Sequence, residues 1–442
     1  SVASRGLGDV YKRQDFTKAV KLELSDASTG ILVKATQARY VSGDAPTTDW
    51  NTTGNTSTVA TSLTSSGYGV SLLQISGTNL SPVMAREAVV SASRDVVAFD
   101  LVNGTQSLLS HSAASSNLES LAGDVRNVTL SADGRYVLFS ATDVTRFGNS
   151  GTAFTDAFPA VTDDLATDLQ TGQIRLLSHS TSDRNTSAGA ALTLLGTSRN
   201  GYAIFSATDV SAYGFTDANT GGTDLLAVNL ADGTIKLISC ASAETPTTTG
   251  NLSSEFQQIV GHHVYFTASD ATTFGFSRDA DKTRSDLFRY DLDSGLVELL
   301  SHAATSTTEA HGGSYRPGSL TVSPNGRYVA FVSNMQDSSG GFSMAANGDA
   351  LFIADTQTGA IRLVNASNAQ GSTLSYTAWA DALNQQKFFT PDSTAFIWQT
   401  SYAGWQASDA SGSATGFNGS STVAAFVLDL TGGLRNAGMD QV

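Results

Sequence analysis

Two stretches of the chain carry oxygen ligands at a spacing that suits a hard cation. Asp217 and Asn219 precede Asp224, and Asp279 and Asp281 precede Asp286. Oxygens at i and i+2, followed by a later Asp, can wrap Ca²⁺, although no Glu supplies a bidentate end. The competing reading is structural. Asp224, Asp286, Asp164 and Asp349 each stand just before a β-rich run. There a carboxylate can bond nearby backbone amides. Recurrence at one position of a repeat favours that role for the last Asp of each loop. Calcium is the one cofactor these residues suggest.

Six histidines are present. His111, His179 and His302 share one repeat position, where Cys240 and Asn365 replace them in other copies. Such swaps argue for a structural role, and against a catalytic thiol at Cys240. His262 and His263 fall at a turn-to-strand junction. Strand alternation would send one ring inward and the other outward. His311 lies in a Gly-rich connector and is a candidate ligand-binding residue. Trp379, Trp398 and Trp405 cluster late in the chain. Aromatic faces beside Asp and Asn can stack sugars. Trp398 is expected in the core, and Trp405, in a loop, is the surface candidate. G-x-S-x-G, G-x-x-x-x-G-K-[ST] and H-E-x-x-H are all missing, so no catalytic residue is nominated.

The elements that position these residues come from a repeat. One half-unit reads DLQTGQIRLLSH at 168–179, NLADGTIKLISC at 229–240 and DLDSGLVELLSH at 291–302. Further copies read DLVNGTQSLLSH at 100–111, DTQTGAIRLVN at 355–365 and DLTGGLR at 429–435. Their turn glycines, Gly104, Gly172, Gly233, Gly295, Gly359 and Gly432, recur at a nearly regular interval. The other half-unit reads LSADGRYVLFSATD at 130–143 and VSPNGRYVAFVSN at 322–334. Apolar runs bounded by turn residues read as strands joined by hairpins. Strands A, B, C and D are expected near 128–130, 136–141, 287–292 and 297–301 of their respective copies. Four short strands per copy cannot cover their own faces, and stacking copies around an axis covers them. The expected fold is therefore an all-β propeller of four-stranded antiparallel blades.

The pairing of S-x-D/N-G-R-Y-V-x-F with D-L-F-x-x-D-L-x-T-G resembles the WD40-like (PD40) repeat of TolB-type bacterial propellers, from about residue 90 to 435. That resemblance implies a propeller, protein partners at the loop face and an envelope or secreted setting. Two copies depart from it, with Gly261, His262 and His263 in one and Pro391, Asp392 and Ser393 in the other.

Residues 1–14 share no pattern with the rest and read as a non-native or disordered leader, which leaves room for a signal peptide upstream. A hairpin around Gly30, within 15–40, either closes a six-blade ring or is half of a seventh blade. Residues 41–68 read as a flexible Thr/Ser/Gly-rich loop, and 69–442 hold the propeller repeats. Strand parity puts the short A–B and C–D turns at one end of each blade. The long B–C and D–A loops lie at the other, for example 142–163, 208–223 and 269–285. Long loops on a rigid scaffold are where binding resides.

The net charge is −15. A phosphate backbone or an anionic membrane surface is therefore repelled, and nucleic-acid binding is excluded. The chain has one cysteine, Cys240. That rules out an intrachain disulfide. No apolar run is long enough to span a membrane. The sequence therefore points to a non-catalytic binding or scaffolding domain, a monomeric part of a larger protein. Its setting is extracellular, cell-surface or periplasmic, and its ligand is a protein or carbohydrate at the loop face. The alternative is the propeller of a polysaccharide lyase or hydrolase, or the gating domain of a larger peptidase.

Overall fold

Turn chemistry sets the strand boundaries. Ser131 Oγ bonds Asp133 and accepts from the Tyr136 amide at 2.8 Å, and Ser323 repeats this with Asn325 and the Tyr328 amide. Each hydroxyl ends strand A and starts strand B. The C–D turn is closed by a glycine amide reaching back four residues, as Gly295 N does to Asp291 O at 2.8 Å. Gly295 has a positive φ of 77°. That left-handed conformation favours glycine, which has no Cβ to clash.

The computed structural model describes residues 125–333 apart from 146, 243–244, 251, 280, 304 and 311–312. It also describes 350–364, 387–400, 424–432 and shorter segments before 125 and within 406–416. The protein is all-β. Helix among the described residues is limited to two 3₁₀ turns, Ser211–Tyr213 and Ala271–Phe274. The chain divides into two compact units, Ser1–Gly214 with Ala227–Lys236, and Phe215–Leu226 with Leu237–Val442.

In the first unit, the Gly172 repeat is a four-stranded antiparallel sheet of Val125–Leu130, Tyr136–Ala141, Asp163–Asp168 and Ile174–Leu176. Strand B begins and ends where the apolar run does. Val137, Phe139, Leu165 and Leu176 pack with Val96 and Leu109 from the preceding repeat. The Gly30 hairpin, Lys21–Leu24 with Ile31–Ala35, does not stand apart. Lys34 and Ala35 pair with Val59 and Thr58, so it extends the sheet that continues through Tyr68–Ile75, Ser93–Asp100 and Thr105–Leu108. Successive strands pair most readily with their chain neighbours, which accounts for this placement. Thr58–Leu63, inside the segment read as a loop, is itself a strand. Its β-branched Thr58 and Val59 suit one.

The second unit holds the sheets of the Gly295 and Gly359 repeats, each of four antiparallel strands. These are Ser254–Val260, His263–Ser269, Ser285–Asp291 and Val297–Leu299, then Thr321–Val322, Tyr328–Ser333, Ala350–Asp355 and Ala360–Leu363. The Gly432 repeat contributes Lys387–Phe389, Ala395–Thr400 and Ala424–Asp429. Stacking is visible in the alternation of side chains. Val329, Phe331 and Phe352 face Tyr265 and Leu287 of the Gly295 sheet, while Tyr328, Ala330 and Ile353 face Phe389, Phe396 and Trp398. The Gly359 sheet is thus buried on both faces, and every residue of Tyr328–Ser333 is buried. Double burial explains why strand B reads as a continuous apolar run.

The strands Thr193–Thr197, Tyr202–Ala207, Asp224–Asn229 and Ile235–Leu237 of the Gly233 repeat follow the same succession, and the chain passes between the units within them. Tandem four-stranded antiparallel meanders of this kind are the blades of a β-propeller.

Candidate functional site

At the end of each sheet opposite the tight turns, the B–C loop runs beside the D–A connector and bonds to it. In the Gly172 repeat, Thr155 N donates to Asn185 O at 2.7 Å and Ser187 N to Thr155 O at 2.9 Å. In the Gly233 repeat, Thr216 N donates to Thr247 O at 2.7 Å and Thr249 N to Thr216 O at 3.0 Å. In the Gly295 repeat, Arg278 and Asp279 pair in parallel with Glu309 and Ala310. These loops carry their own hydrogen-bond ladder, which satisfies their backbone and fixes what they present.

One Asp follows or ends each ladder: Asp156, Asp217 and Asp279. A second stands seven residues later at the start of strand C: Asp163, Asp224 and Asp286. The first Asp of each pair accepts from the amide two residues on, at 3.0 Å for Asp156 and Asp217 and 2.9 Å for Asp279. The second accepts from the serine of the L-L-S-H motif, at 2.7, 2.9 and 2.8 Å from Ser178, Ser239 and Ser301. Each serine also takes the amide of the residue after that Asp.

The pairs differ in how the buried charge is met. Burial pushes Asp163 and Asp224 up to about 6, against the lowering effect of their serine bonds. Burial, and then the charge of Asp279, hold Asp286 well above the usual carboxylate range. Asp163 Oδ2 and Asp224 Oδ2 are buried without a hydrogen-bond partner, and so is Asn219 Oδ1. Asn219 Nδ2 donates to Asp224 Oδ1 and to Leu252 O, each at 3.2 Å. Beside Asp163, Asp164 is pushed up to about 7 by burial while accepting from Ser140 at 2.8 Å.

The structure therefore brings Asn219 to Asp224 and Asp279 to Asp286. Asp217 turns back onto the Asn219 amide. Asp281 is turned to its own loop, accepting from Thr283 and from Arg284 Nε at 2.8 Å. Asp349, His311, Trp379 and Trp405 lie outside the described residues. Trp398 is buried, packed on Phe396 with ring centroids 5.7 Å apart. Asp156 and Asp163 were missed in the sequence, although the signal was present. Phe154 to Ala157 repeats Phe215 to Ala218 residue for residue, at the same offset that separates Gly172 from Gly233.

The turn end is built differently. Arg135 forks onto Asp168 (Nε–Oδ1 3.3 Å, Nη2–Oδ2 2.7 Å) and Arg327 onto Asp355 (2.9 and 2.6 Å). Each arginine also lies over the tyrosine that follows it. So the R-Y of one half-repeat and the D of the other form a single clamp. His111 Nε2 contacts Gly172 O at 2.9 Å and His179 Nε2 contacts Gly233 O at 2.7 Å, each joining one repeat to the turn of the next. Cys240 is buried and its thiol is pushed up to about 11 by burial. That is far from a reactive thiolate.

His262 is the more exposed ring and His263 the more buried, as alternation implies, yet the two share one carboxylate. His262 lies in the turn, and the two ring centroids are 4.0 Å apart with the rings tilted by 38°. Both Nε2 atoms face Asp291 Oδ2, at 3.9 and 3.7 Å. Burial first, then Arg289 and His262, pull His263 down to about 4.

No family model matches the chain, and no curated protein does. Solved structures with remote similarity include TolB from Acinetobacter baumannii, at 14% identity over 70% of this chain and 54% of that one, with a TM-score of 0.27. An acylaminoacyl peptidase from Pyrococcus horikoshii matches at 10% identity over 84% and 44%, with a TM-score of 0.30. A prolyl endopeptidase matches at 11% over 86% and 46%, with a TM-score of 0.34. The chain spans about half the length of these proteins. The fold assignment rests on the strand order and register of this chain. Among the described residues, no helix is long and apolar enough to cross a membrane.

Proposed function

We propose that the chain is a non-catalytic binding or scaffolding β-propeller of TolB type, in a bacterial envelope or secreted protein, built from six repeats and the N-terminal hairpin. Its partner, a protein or carbohydrate, engages the ends of the sheets that carry the B–C and D–A loops. The observation that carries this reading is the contrast between the two ends. At the turn end, arginine forks hold the turn aspartates of the Gly172 and Gly359 repeats, and histidine contacts tie the Gly172 and Gly233 turns to the repeats before them. At the loop end, backbone ladders hold long polar segments in place, and Phe158 and Leu252 are exposed there, as Leu296 is near a C–D turn.

The test is a binding screen of the full chain against soluble polysaccharides and peptides, with product analysis on every hit. Phe158→Ala or Leu252→Ala is expected to weaken binding, and Leu296→Ala, near the C–D turn, to leave it unchanged. The reverse order of effects overturns the choice of face. Cleaved polysaccharide or peptide in the product analysis supports the lyase, hydrolase or peptidase alternative instead.

The same end is proposed to take calcium at Asp217, Asn219 and Asp224. Support comes from two buried acceptors, Asp224 Oδ2 and Asn219 Oδ1, that lack hydrogen-bond partners. The loop with Asp279, Asp281 and Asp286 is the weaker site, because its oxygens are engaged within the protein. Calcium should raise the melting temperature of the wild-type chain and not of Asp224→Asn. An equal rise in both, or none in the wild type, removes the assignment.

A further inference from the structure

We propose that His262, His263 and Asp291 form a binding site for a divalent late-transition-metal ion of the Zn²⁺ class, at the turn end of the Gly295 repeat. The comparison that exposes it lies within the chain. In the Gly172 and Gly359 repeats, the turn aspartate meets an arginine fork. In the Gly233 repeat the turn residue is Asn229, and no arginine stands between Gly201 and Tyr202. In the Gly432 repeat Asp429 is exposed and Thr394 holds the arginine position. Only the Gly295 repeat, among those described, sets a half-buried turn aspartate against imidazoles. His262 takes the arginine position and His263 the tyrosine position.

The geometry suits a metal better than a hydrogen bond. Asp291 Oδ1 is held by the amides of Asp293 at 2.8 Å and Ser294 at 3.0 Å, which aims Oδ2 at the histidines. Oδ2 lies 3.9 Å from His262 Nε2 and 3.7 Å from His263 Nε2. Both distances are beyond hydrogen-bond reach. Metal–ligand lengths of about 2.0–2.1 Å give a tetrahedron with edges of roughly 3.4 Å, so the two edges to Asp291 shorten by a few tenths of an ångström and the edge between the imidazole nitrogens by up to about 1.4 Å, within the reach of side-chain rotation. The three ligand atoms all lie within 4.8 Å of one another. The two tilted rings both bring Nε2 toward Asp291 Oδ2. A carboxylate fixed through its other oxygen is the usual support for a metal ligand. Arg289, whose charge acts on His263, is itself paired with Glu298, which offsets part of that charge. His262 is 45% exposed, Asp291 26% and His263 12%, which leaves an open side for water as the remaining ligand. Two imidazole nitrogens and one carboxylate select Zn²⁺, Co²⁺ or Ni²⁺ over Ca²⁺ or Mg²⁺. Binding displaces water from the ion and involves no redox change.

The test uses the full chain, free of any polyhistidine tag and stripped with a chelator. Zn²⁺ is followed by calorimetry and Co²⁺ by its visible d–d absorption. The wild type should bind one equivalent at this site, undisturbed by excess Ca²⁺. His262→Arg and Asp291→Asn should each weaken Zn²⁺ binding at least tenfold and abolish the Co²⁺ band. Both variants should remain folded by circular dichroism, since other repeats place arginine and asparagine at these positions. Absence of the Co²⁺ band in the wild type, or equal binding in wild type and both variants, overturns the proposal. The histidines would then serve only as ion-pair partners of Asp291.

Discussion

Arg327→Ala should destabilise the protein more than Asp355→Asn does, although both break the same clamp. The Asp355 side chain is fully buried and that of Arg327 is 27% exposed. Burial alone would raise the Asp355 carboxyl, but the Arg327 bond, a turn amide and the arginine charge together hold it below its ordinary range. Removing the arginine leaves a buried carboxylate supported by the turn amide of Gln357. Breaking a fully buried pair costs roughly 3–5 kcal/mol, and the partial exposure of Arg327 reduces this to about 2–4 kcal/mol. Asparagine at 355 can keep the turn, as Asn229 does by accepting from the Ala231 amide at 2.8 Å. The freed arginine then reaches water, so the cost is about 1 kcal/mol. Urea unfolding of wild type, both single variants and the double variant gives the coupling, expected at about 1–2 kcal/mol. Equal losses from the two single variants, or strict additivity, would refute the reasoning. In the matching clamp of the Gly172 repeat, the Arg135 side chain is 40% exposed and that of Asp168 12%. Arg135→Ala should therefore cost less, about 1 kcal/mol, as for a solvent-screened pair.

Other outcomes follow from the same geometry. The Phe331 ring is fully buried between sheets. Phe331→Ala should cost about 3–5 kcal/mol, and a loss below about 1 kcal/mol in urea unfolding would contradict the stacking. Asp163 and Asp164 titrate at about 6 and about 7 in the folded chain, against an ordinary value of 3.8. Their stabilising protonation is complete below the unfolded value and is lost as pH rises through the folded values. The melting temperature should therefore fall between about pH 4 and about pH 7, and Asp164→Asn should flatten that slope; an unchanged slope counts against buried carboxyls as its source. His179→Ala removes the contact to Gly233 O. It should speed hydrogen exchange at the Gly233 turn relative to the Gly172 turn.

Much of the architecture was legible because it depends on local chemistry. The turn serines and glycines mark strand ends directly, and Tyr136–Ala141 begins and ends where the apolar run does. The loop ladders were not legible, because Thr155 with Asn185 and Thr216 with Thr247 bond through backbone atoms that leave no side-chain signature. The aspartate pairs were half legible. Asp217 and Asp279 stood out for their polar and acidic neighbours, whereas Asp156 shows itself only when repeats are aligned. The histidine pair was half legible: His262 is the more exposed ring and His263 the more buried, as alternation implies, but their shared approach to Asp291 depends on the pairing of two half-repeats. A better signal was the missing arginine opposite Asp291.

Because the Gly359 sheet is covered on both sides, its strands have no surface on which to drift. Tyr328 and Val329, adjacent in the chain, answer to different neighbours. A change in copy number would juxtapose two walls never fitted to each other, so gain or loss of a single module demands simultaneous refitting of both seams. Diversification is therefore confined to the segments between modules, where insertions alter what is displayed without touching a seam.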